Sequence, residues 1–231
     1  MSEITPAEWT AILLSLRVAV IATLVATPFG IALAWLLARY NFWGKSVLDA
    51  LVHLPLVLPP VVTGYLLLLT LGRRGLIGAW LADNLGIVFA FRWTGAALAC
   101  GVMSFPLLVR PIRLSIEAID RRLEQAASTL GAAPWRVFAT VTLPLALPGI
   151  LAGMVLGFAK AIGEFGATIT FVSNIPGETQ VISSAIYSLI QTPDGDAAAM
   201  RLVIISIVIA TAALIGSEWF ARRATQRLHG N

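Results

Sequence analysis

Charge is scarce in this chain. Of its 231 residues only 12% are Asp, Glu, Lys or Arg, about half the roughly 25% of an ordinary soluble domain, while 58% are hydrophobic and the mean hydropathy is +0.86. That composition excludes a soluble globular domain and puts the chain in a bilayer. Cysteine is reduced to Cys100, set in an apolar run, which has no partner for an internal disulfide or a metal site and reads as a small buried hydrophobe. Histidine is reduced to His53 and His229. An intramembrane hydrolase would need a nucleophile with a base or a metal pair, so we expect no catalytic residue, no metal ligand and no cofactor, and His53 reads as a boundary or interface histidine. No Lys or Arg precedes Arg17, so the basic start of a cleaved signal peptide is missing and the first apolar run is expected in the mature protein. A phosphate-binding loop is missing too. Gly44-Lys45-Ser46 echoes the end of one, but Arg39 stands where its first glycine would fall, so ATP, if it is used, is bound by another chain. The net charge of +4 comes from Lys and Arg scattered between apolar runs, with no basic stripe, so nucleic acid is not an expected partner.

What remains is a series of apolar runs, and their spacing gives an all-α polytopic membrane protein of about five transmembrane helices. The first, residues 9–37, carries Arg17 near its outer end, where the side chain can snorkel or face a partner helix, and Thr27-Pro28-Phe29-Gly30, which predicts a kink. The second, residues 51–71, holds Pro55, Pro59 and Pro60. Broken helices survive in bilayers where protein or a water-filled cavity satisfies the freed backbone groups, and they often mark a transport path. The third, residues 94–109, is expected to end at Pro106. The fourth begins after Pro144, and residues 181–190 are too short to span and should pack across the outer mouth. The last, residues 202–220, runs into Arg222, Arg223 and Arg227. Basic segments at 39–45, at 110–122 and at the C-terminus put the N-terminus outside and the C-terminus in the cytoplasm, with Arg73, Arg74 and Arg92 as outer exceptions. No linker or repeat divides residues 1–231, which form a single domain.

The fourth run carries Gly149, Gly153, Gly157 and Ala161 at four-residue spacing, a stripe that admits a closely packed helix. Lys160 and Glu164 share it if the helix stays regular, at a spacing that allows a salt bridge. Gly163 and Gly166 loosen the chain beyond them, and a hydroxyl-rich apolar segment follows. The conducting path is expected near the Pro59-Pro60 break and this stripe. Thr168, Thr170, Ser173 and Asn174 would be its neutral hydroxyl and amide donors, with Glu164 supporting the gate.

Residues 121–144 stand apart as a moderately polar island. Glu124, Ala126 and Ala127 open a short amphipathic helix that Gly131 can end in the left-handed conformation. Pro134 suits the first turn of a second, with Trp135 and Phe138 on an apolar face and Leu143-Pro144 as its end. Such an elbow is too short to span and should dock into another protein.

At these residues the chain resembles the EAA loop of bacterial ABC importer permeases, with Gln125 where that family often has Ala. HLPLVLPP at 53–60 and GEFGATITFVSNIPGET at 163–179 resemble the permease subunit of molybdate importers, and the resemblance runs over nearly the whole chain. It implies a type I permease fold and a homodimer in the bacterial inner membrane. It also implies two ATPase subunits docked on a cytoplasmic elbow at Glu124, Ala126, Ala127, Gly131 and Trp135, and a periplasmic binding protein that delivers molybdate. Tungstate, sulfate or thiosulfate importers share that architecture. A passive channel is the rival within transport, and the elbow argues against it, since a channel has no ATPase to engage.

Overall fold

The computed structural model describes residues 4–228, with side chains to residue 216. The expected positions of Ser2, His229 and Asn231, and the side chains of Arg222, Arg223 and Arg227, lie outside the described residues. The described chain is helical throughout, without strands.

α1, Pro6–Arg39, starts at a reciprocal cap in which the Glu8 amide donates to Thr5 Oγ1 (3.3 Å) and the Thr5 amide to Glu8 Oε2 (2.6 Å). At 34 residues it is about 51 Å long, well beyond the roughly 30 Å hydrocarbon core. One helix runs without a break through Thr27–Gly30, with Pro28 inside it. Thr23 and Thr27 donate their hydroxyls to the carbonyls one turn back, at 2.8 and 2.7 Å, which satisfies these two buried hydroxyls in an apolar setting.

The second apolar run does break, and only at Pro59-Pro60. α2, Lys45–Val57, absorbs Pro55, whereas Leu58 is extended before the two prolines, and α3, Pro60–Leu71, leaves at 114° to α2. A short helix that hydropathy did not disclose, α4 (Leu76–Leu85), follows and closes at left-handed Gly86. α5, Trp93–Glu117, corrects the third expected boundary: it passes through Pro106 and Pro111. Proline rules are local, and here the helix is packed on two sides by α1 and by α8, Leu143–Ile162, so burial holds a backbone that the proline loosens.

The small-residue stripe is the α5–α8 contact. A Cβ on Gly153 would lie 2.5 Å from the Leu108 carbonyl oxygen, and one on Gly149 2.7 Å from that of Pro111. The stripe therefore faces protein as expected, but it is closed against α5 of the same chain and does not line a path. Beyond α8 the chain breaks at Gly163, forms α9 (Gly166–Val172), passes a loop, and continues as α10 (Ile182–Leu189) and α11 (Asp196–Leu228). α10 packs on α1 and α11, and the Ile182 amide donates to Ser15 Oγ at 2.7 Å. Among the described residues four helices are long and apolar enough to cross a membrane, or five if the bent α2–α3 pair counts as one broken span. The ends of α1 and α5 and the start of α8 gather around the elbow, while the Arg201–Glu8 ion pair (2.7 Å) ties the first turn of α1 to the second turn of α11 at the opposite end.

Candidate coupling elbow and gate

The elbow is two short helices joined by a four-residue turn, 130–133, around one glycine. α6, Arg121–Thr129, starts where Asp120 caps the Arg122 amide at 2.9 Å. Gly131 at φ +85° turns the chain, and its amide and that of Ala132 donate back to Ser128 and Ala127. α7, Pro134–Val137, then begins with proline in the first turn. The expected end at Leu143-Pro144 is not there: residues 138–142 form a π-type turn that feeds directly into α8, and Pro144 sits harmlessly in the first turn of that helix. The elbow is thus continuous with a helix long enough to span.

Its outward surface sets two large apolar side chains among exposed Arg121, Arg122, Gln125 and Arg136. Leu130 is 89% exposed and Trp135 67%, with Ala126 also exposed and Ala127 half-buried. Trp135 and Phe138 do not share a face, because Phe138 turns inward onto Trp35 of α1 with ring centroids 5.3 Å apart.

Glu124 also turns inward. Its Oε1 accepts from Arg39 Nε and Nη2 at 3.1 and 3.0 Å and from the Thr142 hydroxyl at 2.6 Å, with the Arg39 and Glu124 side chains only 9% and 18% exposed. One carboxylate oxygen therefore joins the end of α1, the elbow and the foot of α8. A sequence reading groups Glu124 with Trp135 on the docking face. The structure separates them, and Arg39, visible beforehand only as part of a basic loop, emerges as the missed partner.

At the other end, the two breaks in the chain meet. The start of α3 lies on α9: a Cβ on Gly166 would come within 2.7 Å of Pro60 Cβ, and one on Gly64 within 2.5 Å of the Ala167 carbonyl oxygen. Glu164, 1% exposed, sits at this junction, accepting from Lys160 Nζ at 2.7 Å and from the Ala167 amide at 3.0 Å. Pro60 thus packs on Gly166, and Gly64 on Ala167 and Thr170, which sets the Pro59–Pro60 break against the segment that carries Glu164, Thr168 and Thr170. The hydroxyls are not free donors, however. Thr168 is buried and donates to the Phe165 carbonyl at 2.9 Å, and Thr170 donates to Gly166 at 2.8 Å. A hydroxyl has one proton, and in both cases the helix takes it. Ser173, exposed at φ +65°, and Asn174, whose amide donates to Ser188 at 2.7 Å, belong to the loop beyond α9.

Residues 26–226, spanning both sites, match the family model described as the inner membrane component of binding-protein-dependent transport systems. The chain belongs to that family. It is accordingly a multi-pass inner-membrane transport subunit. This permease is 62% identical over 224 residues, 97% of the chain and 98% of the relative, to a molybdenum transport system permease protein of Escherichia coli K12, and 58% identical over 221 residues to its counterpart from Haemophilus influenzae, covering 96% of each. A probable sulfate transport permease of Chlorella vulgaris is 36% identical over 213 residues, 92% of the chain and 80% of that relative. Among solved structures, the permease fold matches a bacterial alginate ABC transporter at a TM-score of 0.76 and 20% identity, covering 96% of the chain and 81% of the other. It also matches an inward-facing methionine ABC transporter at 0.67 and 15%, covering 97% and 99%.

Proposed function

We propose that this permease is the membrane subunit of an ATP-driven molybdate importer, in which two copies enclose the path, two separate ATPase subunits dock on the elbows, and a periplasmic binding protein delivers the anion. The observation that carries the reading is the 62% identity, end to end, with a molybdenum permease, against 36% with a sulfate permease. The exposed Leu130 and Trp135 knob, continuous with α8, supports ATPase docking, since an exposed apolar patch of this kind marks an interaction site. The meeting of two chain breaks at Pro60 and Gly166 supports a gate there. The path donors are then Ser173, the second Asn174 amide proton and backbone groups at the breaks, because Thr168 and Thr170 have no proton to offer. Affinity purification of the tagged permease should retain an ATP-binding subunit in equal amount, and a permease that purifies alone under mild detergent would contradict this docking.

The elbow sits at the end carrying Arg39, Arg113 and Arg121, so that end is cytoplasmic and the start of α1 is periplasmic. A C-terminal alkaline phosphatase fusion should be inactive and a C-terminal fluorescent fusion bright. Active phosphatase would reverse the orientation.

Gly131 supplies a second test of the elbow. A Cβ there meets nothing within 4 Å, so any penalty comes from the backbone alone, about 1–3 kcal/mol for a β-branched residue held at positive φ. Gly131→Val should reach the membrane but lose transport-coupled ATP hydrolysis, whereas Gly131→Asn, which tolerates that conformation, should keep most of it. Equal activity of both variants would show that the turn does not transmit the stroke.

A further inference from the structure

Arg17 is an exposed cation on a membrane helix, and among the described residues no carboxylate pairs with it. Its guanidinium lies 3.8 Å over the Trp93 ring at the start of α5. Arg17 and Arg39 are 22 residues apart on α1, about 33 Å along the axis, close to the roughly 30 Å thickness of the hydrocarbon core. With Arg39 at the elbow end, Arg17 and Trp93 sit at the opposite boundary, where phosphate headgroups and aromatic belts lie.

A groove of about 700 Å³ begins directly below that pair. One wall is the α1 stripe Ile21, Val25 and Phe29, which continues the four-residue spacing from Arg17. The other is the α5 stripe Ala97, Gly101 and Phe105, which continues from Trp93, and Pro55 of α2 closes the lower end. Both helices run in the same direction from the Arg17–Trp93 boundary, so each wall descends 12 residues, about 18 Å, or slightly more than one leaflet of hydrocarbon. Gly101 keeps the floor open, since a Cβ there would come no nearer than 3.8 Å to its neighbours. Val25 and Phe29 on the rim are 59% and 66% exposed.

We propose that this groove is a site for a single phospholipid of the outer leaflet, with its phosphate on Arg17 and one acyl chain lying between the α1 and α5 stripes. The chemistry is complementary at both ends. An unpaired guanidinium meets an anionic phosphate, to which it can donate two parallel hydrogen bonds while its face stays on Trp93. An apolar trough one leaflet long meets a chain of matching length. A second copy of this protein could cover the trough, but its helix would leave Arg17 without an anion unless it brought a carboxylate to the same height.

The proposal is tested by native mass spectrometry of the assembled transporter, extracted in mild detergent and titrated with phosphatidylglycerol. The wild type should retain one tightly held lipid per permease copy. Arg17→Gln should weaken that retention about tenfold, the loss of a charge-assisted contact. Val25→Trp, which fills the trough from its exposed rim, should abolish retention, and both variants should remain dimeric with wild-type subunit ratios. Unchanged lipid retention in both variants overturns the proposal, as does a Val25→Trp variant that falls apart into monomers, since the trough would then be an interface between copies. Displacement of the lipid by inorganic phosphate alone would also overturn it, because the acyl chain would then contribute nothing.

Discussion

Arg39→Gln should leave the transporter assembled and membrane-inserted but cut molybdate transport by at least about tenfold. The reason lies in the geometry around Glu124, whose Oε1 is held by Arg39 on α1 and by Thr142 at the foot of α8. Charge-assisted hydrogen bonds of this kind contribute about 1.5–3 kcal/mol each at most, and partial exposure places this pair toward the lower figure. Without Arg39 the elbow keeps its own helices and its exposed Leu130–Trp135 knob, so an ATPase can still bind. What it loses is the cross-link that makes a displacement of the elbow a displacement of α1 as well. Basal ATP hydrolysis should therefore persist while stimulation by the loaded binding protein disappears. Arg39→Glu combined with Glu124→Arg should restore part of that stimulation. If Glu124 instead faces the ATPase directly, Glu124 variants will fail and Arg39→Gln will transport normally, and that pattern would remove the clamp from the coupling route.

The Lys160–Glu164 pair should respond asymmetrically to substitution. Glu164 is 1% exposed and the Lys160 side chain 29%. Lys160→Met leaves a buried carboxylate with only the Ala167 amide, and stranding a buried charge costs on the order of 3–5 kcal/mol. Glu164→Gln keeps an acceptor for Ala167 and leaves a lysine that can turn toward water, a smaller loss. Membrane levels and melting temperature of the purified transporter should therefore fall most in Lys160→Met, less in Glu164→Gln, and recover partly in the double variant. A double variant worse than either single one would mean that the two side chains do not act as a pair, and would return Glu164 to consideration as a direct participant in gating.

Much of this arrangement is legible in the residues, and the parts that are not share a physical cause. Gly131 could be read because a left-handed turn between two short helices needs glycine whatever surrounds it. The stripe at Gly149 and Gly153 could be read because spacing on a helix fixes the face. The inward turn of Glu124 could not, since its partner Arg39 is 85 residues away in sequence and is brought close only by packing. Pro106 and Pro111 suggest boundaries by a local rule that the α1–α5–α8 core overrides. α4 was missed because Asp83 and Asn84 lower its apolar signal, although its Leu76, Ile77 and Trp80 face outward. Thr168 and Thr170 are the expected residue types in the expected place, but a threonine in an apolar helix gives its proton to the carbonyl one turn back before any ligand can use it.

On the proposed function, this permease moves molybdate uphill when ATP is hydrolysed by subunits docked on its elbow. This is tested most directly in proteoliposomes holding the permease with its ATPase subunits and binding protein, by following labelled molybdate against time. Molybdate should accumulate in the compartment corresponding to the cytoplasm, dependent on ATP and on binding protein, with accumulation lost in Gly131→Val and resistant to excess sulfate. Flux that follows the gradient without ATP, or accumulation of sulfate in place of molybdate, would contradict it.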